Sequence, residues 1–168
     1  MRSLILCFFS IVLLAQSAHV SPAQALPSTT GETLSGKPIV LADAVRGHDA
    51  VLVAGFSREG GNGTGAWIKA IHADSAFANL SVYSIAMLAD APGFIRGMIK
   101  SGMKKGVSTA DKDRFIVLTA DEQAWKRFFG VTTDNDPYVA LLDAQGEVRW
   151  HGHGSASQLE TQLKDALH

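Results

Sequence analysis

Short continuous apolar runs alternate along this chain with segments whose apolar residues recur every three or four positions. The runs from Ala50 to Phe56 and from Val82 to Leu88 have the length and composition of parallel strands that are buried on both faces. Thr33 to Leu41 indicates two short strands around a glycine-containing turn, and Arg114 to Thr119 indicates another strand. These runs predict the centre of a β-sheet.

The helical segments fall between the strands. They are a single turn at Asp43 to Gly47 and longer helices from Gly63 or Thr64 to Phe77, from Asp90 to Lys105, from Asp121 to Phe129, and from Ser157 through Leu167. Ser157 and Glu160 have the spacing of a capping box. Tyr138 to Leu142 and Glu147 to His151 predict a hairpin before the last helix. The order predicts an α/β fold, a three-layer α/β/α sandwich with a mixed central sheet and a C-terminal β-hairpin plus helix.

The first residues have the pattern of a secretory leader. A basic start is followed by an apolar run from Leu4 to Ala15, which is too short to cross a bilayer, and Ala23-Gln24-Ala25 has the form of a cleavage site. We therefore expect a signal peptide over 1–25, a flexible segment over 26–32 and one domain over 33–168, secreted to the periplasm or cell envelope. Cleavage nearer Ala18 and a mitochondrial presequence are the alternatives.

Composition limits the chemistry of the mature chain. The single cysteine, Cys7, lies in the predicted leader, so the mature chain can form no disulfide and exchange no thiol. The chain has 15 basic and 16 acidic residues, and without Arg2 the balance is 14 against 16. Scattered charge of this kind gives no footprint for a nucleic-acid partner.

A glycine-rich stretch follows the first buried run and raises two interpretations. Gly60 to Gly65 has the backbone freedom of a phosphate cradle before a helix, with Arg58 beside it as a carboxylate ligand. It lacks the lysine and hydroxyl residue of a P-loop, and its glycine spacing misses the dinucleotide fingerprint. A wide turn is the favoured interpretation, and no cofactor is predicted.

The remaining candidates for chemistry are weaker. His151 and His153 alternate on a predicted strand and would share one face, but two histidines are fewer ligands than a zinc or copper site takes. Ser57 has neither a nucleophile-elbow setting nor an assigned histidine base. Surface histidines are therefore favoured over a metal carrier, and no catalytic residue is predicted.

The segment from Asp90 to Lys105 is amphipathic. On a helical wheel Phe94, Ile95, Met98 and Ile99 fall on one side, and Arg96, Lys100 and Lys104 fall on the other. One interpretation is a crossover helix that packs its apolar side on the sheet. The other is a docking surface over 92–105 for a membrane or a protein partner.

The order of elements from Leu34 to Leu167 resembles the thioredoxin fold. Leu34-Ser35-Gly36-Lys37-Pro38 is similar to the start of redoxin and thiol-disulfide reductase domains. In those families the turn after Phe56 carries a Cys-x-x-Cys pair, and a proline in the position of Pro137 has a cis peptide bond. The resemblance implies a thioredoxin-like domain without its thiols.

Three further phrases resemble the assembly-factor family for mitochondrial ATP synthase, the ATP-ten type, which has this architecture without redox cysteines. They are Phe56-Ser57-Arg58, Lys112-Asp113-Arg114-Phe115 and Val139 to Gly154 with its Arg-Trp-x-Gly-x-Gly ending. The resemblance implies a redox-inactive binding protein, an assembly factor or chaperone for a membrane complex such as ATP synthase. The rival hypotheses are a cysteine-independent enzyme or metal carrier, and a peroxiredoxin-like relic with a structural role.

The residues expected to bind a protein partner follow from that resemblance and from their predicted positions. They are Ser57, Arg58, Asp113, Arg114, Asp136, Pro137 and Trp150.

Overall fold

Seven strands form one mixed sheet in the computed structural model, which describes residues 25–167. The strands are β1 (Thr30–Thr33), β2 (Pro38–Val40), β3 (Ala50–Gly55), β4 (Ser81–Met87), β5 (Phe115–Leu118), β6 (Tyr138–Leu142) and β7 (Val148–His153). Their order across the sheet is β2-β1-β5-β4-β3-β6-β7. The three central strands β5, β4 and β3 run parallel, and the outer strands pair antiparallel. The predicted mixed sheet is confirmed.

Helices cover both faces of the sheet. They are α1 (Leu41–Ala44), α2 (Arg58–Ala73), α3 (Gly93–Gly106), α4 (Glu122–Phe129) and α5 (Ala156–Asp165), with a short 3-10 helix at Ser75–Phe77. α2 and α5 pack on one face, and α1 and α4 pack on the other. α3 connects β4 to the parallel strand β5, and a right-handed crossover places it on the face of α2.

The strand alternation divides the core into two layers. Leu52, Ile85 and Ile116 point towards α1 and α4, where they meet Trp125 and Phe129. Val51, Val53, Val139 and Leu141 point to the opposite face, where Trp67 and Ile71 of α2 and Leu163 of α5 cover them. Because β3 is buried along its whole length, its carboxyl end is held rigidly. That end is where an open α/β sheet binds its ligands.

Two boundaries differ from the sequence-based expectation at the ends of the domain. Residues 26–32 were expected to be flexible, but Thr30–Thr33 form β1 and Thr29 is buried, with its Oγ1 donating to Asp121 Oδ2 at 2.8 Å and accepting from Trp125 Nε1 at 3.2 Å. The last helix begins at Ala156 with Ser155 at its N-cap position, so the capping box predicted at Ser157 is wrong. The predicted leader over 1–25 lies outside the described residues except for Ala25.

Within residues 25–167, no helix combines the length and the apolar character that a bilayer crossing requires.

Candidate functional site

The carboxyl end of β3 leads directly into α2. Ser57 caps the helix: its Oγ accepts a hydrogen bond from Gly60 N at 3.1 Å and donates to Asn135 Oδ1 at 3.3 Å. α2 therefore begins at Arg58, and the glycine-rich stretch forms its first two turns. The prediction of a wide turn over Gly60 to Gly65 is wrong, because a capped N-terminus compensates for the poor helix propensity of glycine.

Close packing explains two of these glycines. A Cβ on Gly60 would lie 2.7 Å from Asp134 O and 2.8 Å from Asp136 O, and a Cβ on Gly63 would lie 2.7 Å from Pro137 Cγ. Real Cβ atoms essentially never lie so close to another heavy atom, and at Gly60 the obstructing atoms are backbone oxygens. The first turns of α2 are thus pressed against the segment 134–137, and only glycine allows that approach. A Lys126 side chain, which bonds Glu122 at 2.8 Å and Asp134 at 2.9 Å, ties the same segment to α4.

The segment 134–137 is also tied to β7. Asp136 Oδ2 lies 2.9 Å from His153 Nδ1, and the His153 ring stacks on Tyr138 with centroids 5.2 Å apart. The Tyr138 hydroxyl accepts from Thr132 N and Thr133 N and donates to Thr133 O, at 2.9 to 3.1 Å. Asp136 is therefore committed to an internal contact. The peptide bond before Pro137, for which the resemblance implied the cis form, is trans, since the described residues contain no cis peptide bond.

Arg58 is exposed at the first position of α2, and Glu59 beside it is exposed as well. Among the described residues, the Arg58 guanidinium has no hydrogen-bonding or ion-pair partner. A free guanidinium at this position can bind a carboxylate through two parallel hydrogen bonds. Ser57, Arg58, Asp136 and Pro137 are thus brought together at the carboxyl edge, and Arg58 is the one whose charge faces outward.

Asp113 and Arg114 lie elsewhere. They precede β5, whose amino end is at the opposite edge of the parallel strands from the carboxyl end of β3. Asp113 pairs with Lys37 at 2.8 Å and accepts a hydrogen bond from Ser35, and these two donors hold the pKa of its carboxyl below its usual value. Arg114 is exposed. The structure therefore divides the predicted partner-binding residues between two edges of the sheet.

Trp150 lies on a third surface. It is partly buried with α2 and α5, on the opposite side of β7 from His151 and His153. A Cβ on Gly152 would lie 2.9 Å from the Trp150 ring, and Trp67 Nε1 donates to Gly154 O at 2.8 Å. The Arg-Trp-x-Gly-x-Gly ending thus packs the hairpin on the helices. Its tryptophan has a packing role.

His151 and His153 do share the exposed face of β7, as their alternation predicted. Within residues 25–167, no group of three or more histidine, cysteine or acidic side chains is arranged to hold a metal ion. The His153 ring already contacts Asp136 through Nδ1 and stacks on Tyr138.

The surface over 92–105, which the sequence offered as one of two interpretations, is exposed, but its orientation differs from the expectation. α3 has no buried residue, and Phe94 and Met98 are 87% and 72% exposed. Arg96, predicted on the solvated side, instead donates from Nε to Ala91 O and from Nη2 to Ala89 O, each at 2.8 Å, and Lys100 pairs with Glu32 at 2.6 Å. The predicted apolar side is therefore split, with Ile95 and Ile99 turned inward and Phe94 and Met98 turned to solvent. The helical wheel gave the relative directions but could not give the rotation of the helix on the sheet.

A family model described as ATP10 protein matches residues 19–165. No curated protein matches the sequence significantly.

Solved structures with the same fold are distant in sequence. A putative thiol:disulfide interchange protein DsbE from Chlorobium tepidum is 18% identical with a TM-score of 0.59, and the alignment covers 87% of this chain and 97% of that one. BsSco, a member of the Sco family of cytochrome c oxidase assembly proteins, is 13% identical with a TM-score of 0.56 over 86% and 94% of the two chains. The lipoprotein thioredoxin Etrx1 from Streptococcus pneumoniae is 17% identical with a TM-score of 0.55 over 83% and 99%. These likenesses confirm a thioredoxin-like fold.

Proposed function

Because the chain belongs to the ATP10 protein family, whose model matches residues 19–165, we propose that it is a redox-inactive assembly factor of the bacterial envelope. Its client is a membrane complex, with ATP synthase as the first candidate. The leader predicted over 1–25 carries it to the periplasm, and residues 92–105 make a peripheral contact with the membrane that holds the complex.

The observation that supports this proposal most directly is the start of α2 at the carboxyl edge. Thiol-disulfide reductases place their cysteine pair after the corresponding strand. Here Ser57 caps the helix, the next two turns are closed against 134–137, and Cys7 is the single cysteine of the chain. The edge keeps a rigid shape and an exposed charge but has no redox group. Such a surface suits binding without chemistry.

Arg58 supplies the specific contact in this proposal. Its exposed guanidinium stands next to the free N–H groups of the α2 N-terminus, where the helix dipole favours a negative charge. A carboxylate on the client would therefore meet both groups. The cost of ordering the client is reduced because the α2 N-terminus is already held by Ser57 and the 134–137 segment.

Affinity capture from envelope membranes tests the proposal. Residues 26–168, which contain every element described here, serve as bait, and the bound proteins are identified by mass spectrometry. We expect subunits of ATP synthase or another membrane complex, and we expect Arg58→Glu to weaken their capture by about tenfold, since a charge-assisted hydrogen bond contributes about 1.5 to 3 kcal/mol.

Arg114→Glu is the matched control, because Arg114 is an exposed arginine at the opposite edge of the parallel strands. It should capture the client as well as the unchanged protein does. Absence of any membrane-complex subunit from the bound fraction would overturn the proposed client. Equal loss in both variants would remove the carboxyl edge as the contact.

The location and the lack of redox activity are tested separately. We expect an alkaline phosphatase fused after residue 168 to be active in a Gram-negative host, which requires export of the fusion. We expect the purified protein not to accelerate the reduction of insulin disulfides. An inactive fusion or a catalysed reduction would contradict the respective part of the proposal.

A further inference from the structure

The solvent-exposed side of α3 carries apolar residues whose position is not explained by packing in the protein interior. Phe94 and Met98 are one helical turn apart and are 87% and 72% exposed. At 100° per residue, Ser101 and Lys105 continue the same line along the helix. We name these four residues, together with Lys104, which is exposed at the side of the line, the outer face of α3.

The opposite side of α3 is already engaged with the rest of the fold. Ile95, Ile99 and Met103 are partly buried, and Arg96 and Lys100 have the carbonyl and carboxylate partners described above. A rotation that buried Phe94 and Met98 would break those contacts. Their exposure is therefore a property of the docked helix.

The charge on this face has one sign. The segment 91–106 contains Arg96, Lys100, Lys104 and Lys105 and no acidic residue. Arg96 and Lys100 are engaged on the inner side, while Lys104 and Lys105 are exposed in the last turn. The nearest acid along the chain, Asp90, precedes the helix. The surface presented to solvent thus combines two apolar side chains with two lysines.

The small residues of α3 leave those side chains unobstructed. A Cβ at Gly93, Gly97, Gly102 or Gly106 would meet no atom within 4 Å, so internal packing does not demand any of these glycines. Phe94 and Met98 project from a narrow helix surface with small residues at Gly97, Ser101 and Gly102 around them. Both side chains can therefore insert to their full length into a surface that contacts α3.

We propose that the outer face of α3 docks on an anionic lipid surface, with Phe94 and Met98 inserted at the boundary of headgroups and acyl chains and with Lys104 and Lys105 at the lipid phosphates. A deformable bilayer accepts isolated aromatic and methionine side chains from a helix that lies in its plane. Negative lipid attracts the lysines. A stable protein interface takes about 800 Å² from each partner, which a convex single helix with two large apolar groups does not supply.

This inference deepens the membrane contact in the proposed function, and it does not depend on which protein is the client. The 14 residues of α3 extend about 21 Å, so a helix lying flat brings both the apolar and the basic end to one surface. The carboxyl edge with Arg58 would then be presented to proteins at the same membrane.

Cosedimentation with vesicles tests the inference. Residues 26–168 are mixed with vesicles of phosphatidylcholine alone or with added phosphatidylglycerol. We expect binding to the anionic vesicles and little to the neutral ones. The double variant Phe94→Ser with Met98→Ser should bind about tenfold less, and Lys104→Glu with Lys105→Glu at least fivefold less, because each basic residue near an anionic surface contributes about that factor.

Two further variants make the result specific. Lys69→Glu reverses an exposed lysine of α2, changes the net charge in the same direction, and should leave binding within about twofold if α3 is the contact. Phe94→Trp should show a blue-shifted emission on anionic vesicles that the unchanged protein does not show, since Trp67 and Trp125 are fully buried and the unchanged protein accounts for the partly buried Trp150. Circular dichroism confirms that each variant is folded.

Absence of vesicle binding by the unchanged protein would overturn the inference. So would binding that is unaffected by the Phe94 and Met98 substitutions, or binding that is equal on neutral and anionic vesicles. Loss of client capture in the Phe94 and Met98 variant, without any vesicle binding, would assign the outer face of α3 to a protein partner instead. Vesicle binding is measured without client, so its failure and the failure of the Arg58 experiment are separate results.

Discussion

α2 and α3 are two glycine-rich helices of similar length that cross the same face of the sheet, but their glycines have different structural roles. In α2, Gly60 and Gly63 have no room for a Cβ, and Trp67 and Ile71 are buried. In α3, all four glycines have open space and no residue is buried. Glycine composition alone does not distinguish the two helices. The packing around each glycine shows that α2 is adapted to the interior of the protein and α3 to its outside.

The largest expected effect on stability comes from adding a methyl group at the start of α2. Gly60→Ala should lower the free energy of unfolding by about 3 kcal/mol, because the new Cβ would overlap the carbonyl oxygens of Asp134 and Asp136 and force the 134–137 segment to move. Gly61→Ala is the control, since a Cβ there meets nothing within 4 Å. It should stabilise by up to about 1 kcal/mol. Urea denaturation measures both, and equal effects would contradict close packing at Gly60.

The next test concerns what holds α3 in place. Arg96→Met removes the two hydrogen bonds to Ala89 O and Ala91 O and should cost about 2 kcal/mol. Lys104→Met changes an exposed lysine of the same helix and should stay within about 0.5 kcal/mol. Hydrogen exchange should show faster exchange of α3 amides in the Arg96 variant. Unchanged exchange there would mean that α3 is held by its partly buried isoleucines.

A stabilising change is expected inside α3. Gly97→Ala with Gly102→Ala should raise the free energy of unfolding by about 1 to 2 kcal/mol, because both positions are helical and open. Thermal denaturation monitored by circular dichroism measures the gain. A loss of stability would show that these glycines accommodate a neighbour, and the contrast with α2 would disappear.

The smallest expected effect is a pH dependence of stability that arises from an ion pair at the C-terminal end of α2. α3 contributes no carboxylate to such a pair, because the segment 91–106 contains no acidic residue. Asp74 caps the following 3-10 helix and pairs with Lys164 of α5; the lysine first, and then the Ala76 N–H, lower the pKa of the Asp74 carboxyl. A carboxyl with a lowered folded-state pKa contributes stability above its unfolded pKa of about 3.9, and the contribution is lost as the pH falls through the folded value.

Asp74→Asn should therefore reduce the slope of melting temperature against pH below about pH 4 and leave the slope between pH 5 and pH 8 unchanged. Asp165→Asn, at the exposed end of α5, is the control, because it removes one carboxyl charge from the same helix and leaves the Asp74–Lys164 pair in place. If the melting temperature of the Asp74 variant falls with pH below pH 4 as steeply as that of the unchanged protein, the Asp74–Lys164 pair does not contribute to stability.

The sequence predicted the fold well because the information is local. The buried runs that became β3 and β4 are long, continuous and flanked by helical periodicity. α4 ends at Phe129 as predicted, and Gly130 follows it in a left-handed conformation. The start of α2 was wrong because glycine has low intrinsic helix propensity and its compensation comes from residues 134–137, far along the chain. Propensity is a weak guide wherever tertiary packing decides.

The candidate site was predicted only in part for a related reason. Ser57 and Arg58 follow a strand whose position is readable, so their place at the carboxyl edge could be anticipated. Asp113 and Arg114 come before the parallel strand β5 and therefore lie at its amino end, at the opposite edge of the sheet from Ser57 and Arg58. The exposure of Phe94 and Met98 depends on the Arg96 contacts with two carbonyls, which no periodicity reveals.

The close packing around Gly60 also limits which side chains the start of α2 can carry. Ser57 and Gly60 have the separation of the two thiols in a Cys-x-x-Cys pair, and the Ser57 Oγ already reaches Gly60 N. Two substitutions would therefore create the motif in the sequence. A side chain at position 60 would nevertheless collide with the Asp134 and Asp136 carbonyls, so the segment 134–137 would have to be rebuilt as well. The packing of 134–137 on α2 therefore blocks a dithiol at positions 57 and 60 as firmly as the absence of cysteine does, because a second thiol would need a rearranged segment as well as a substitution.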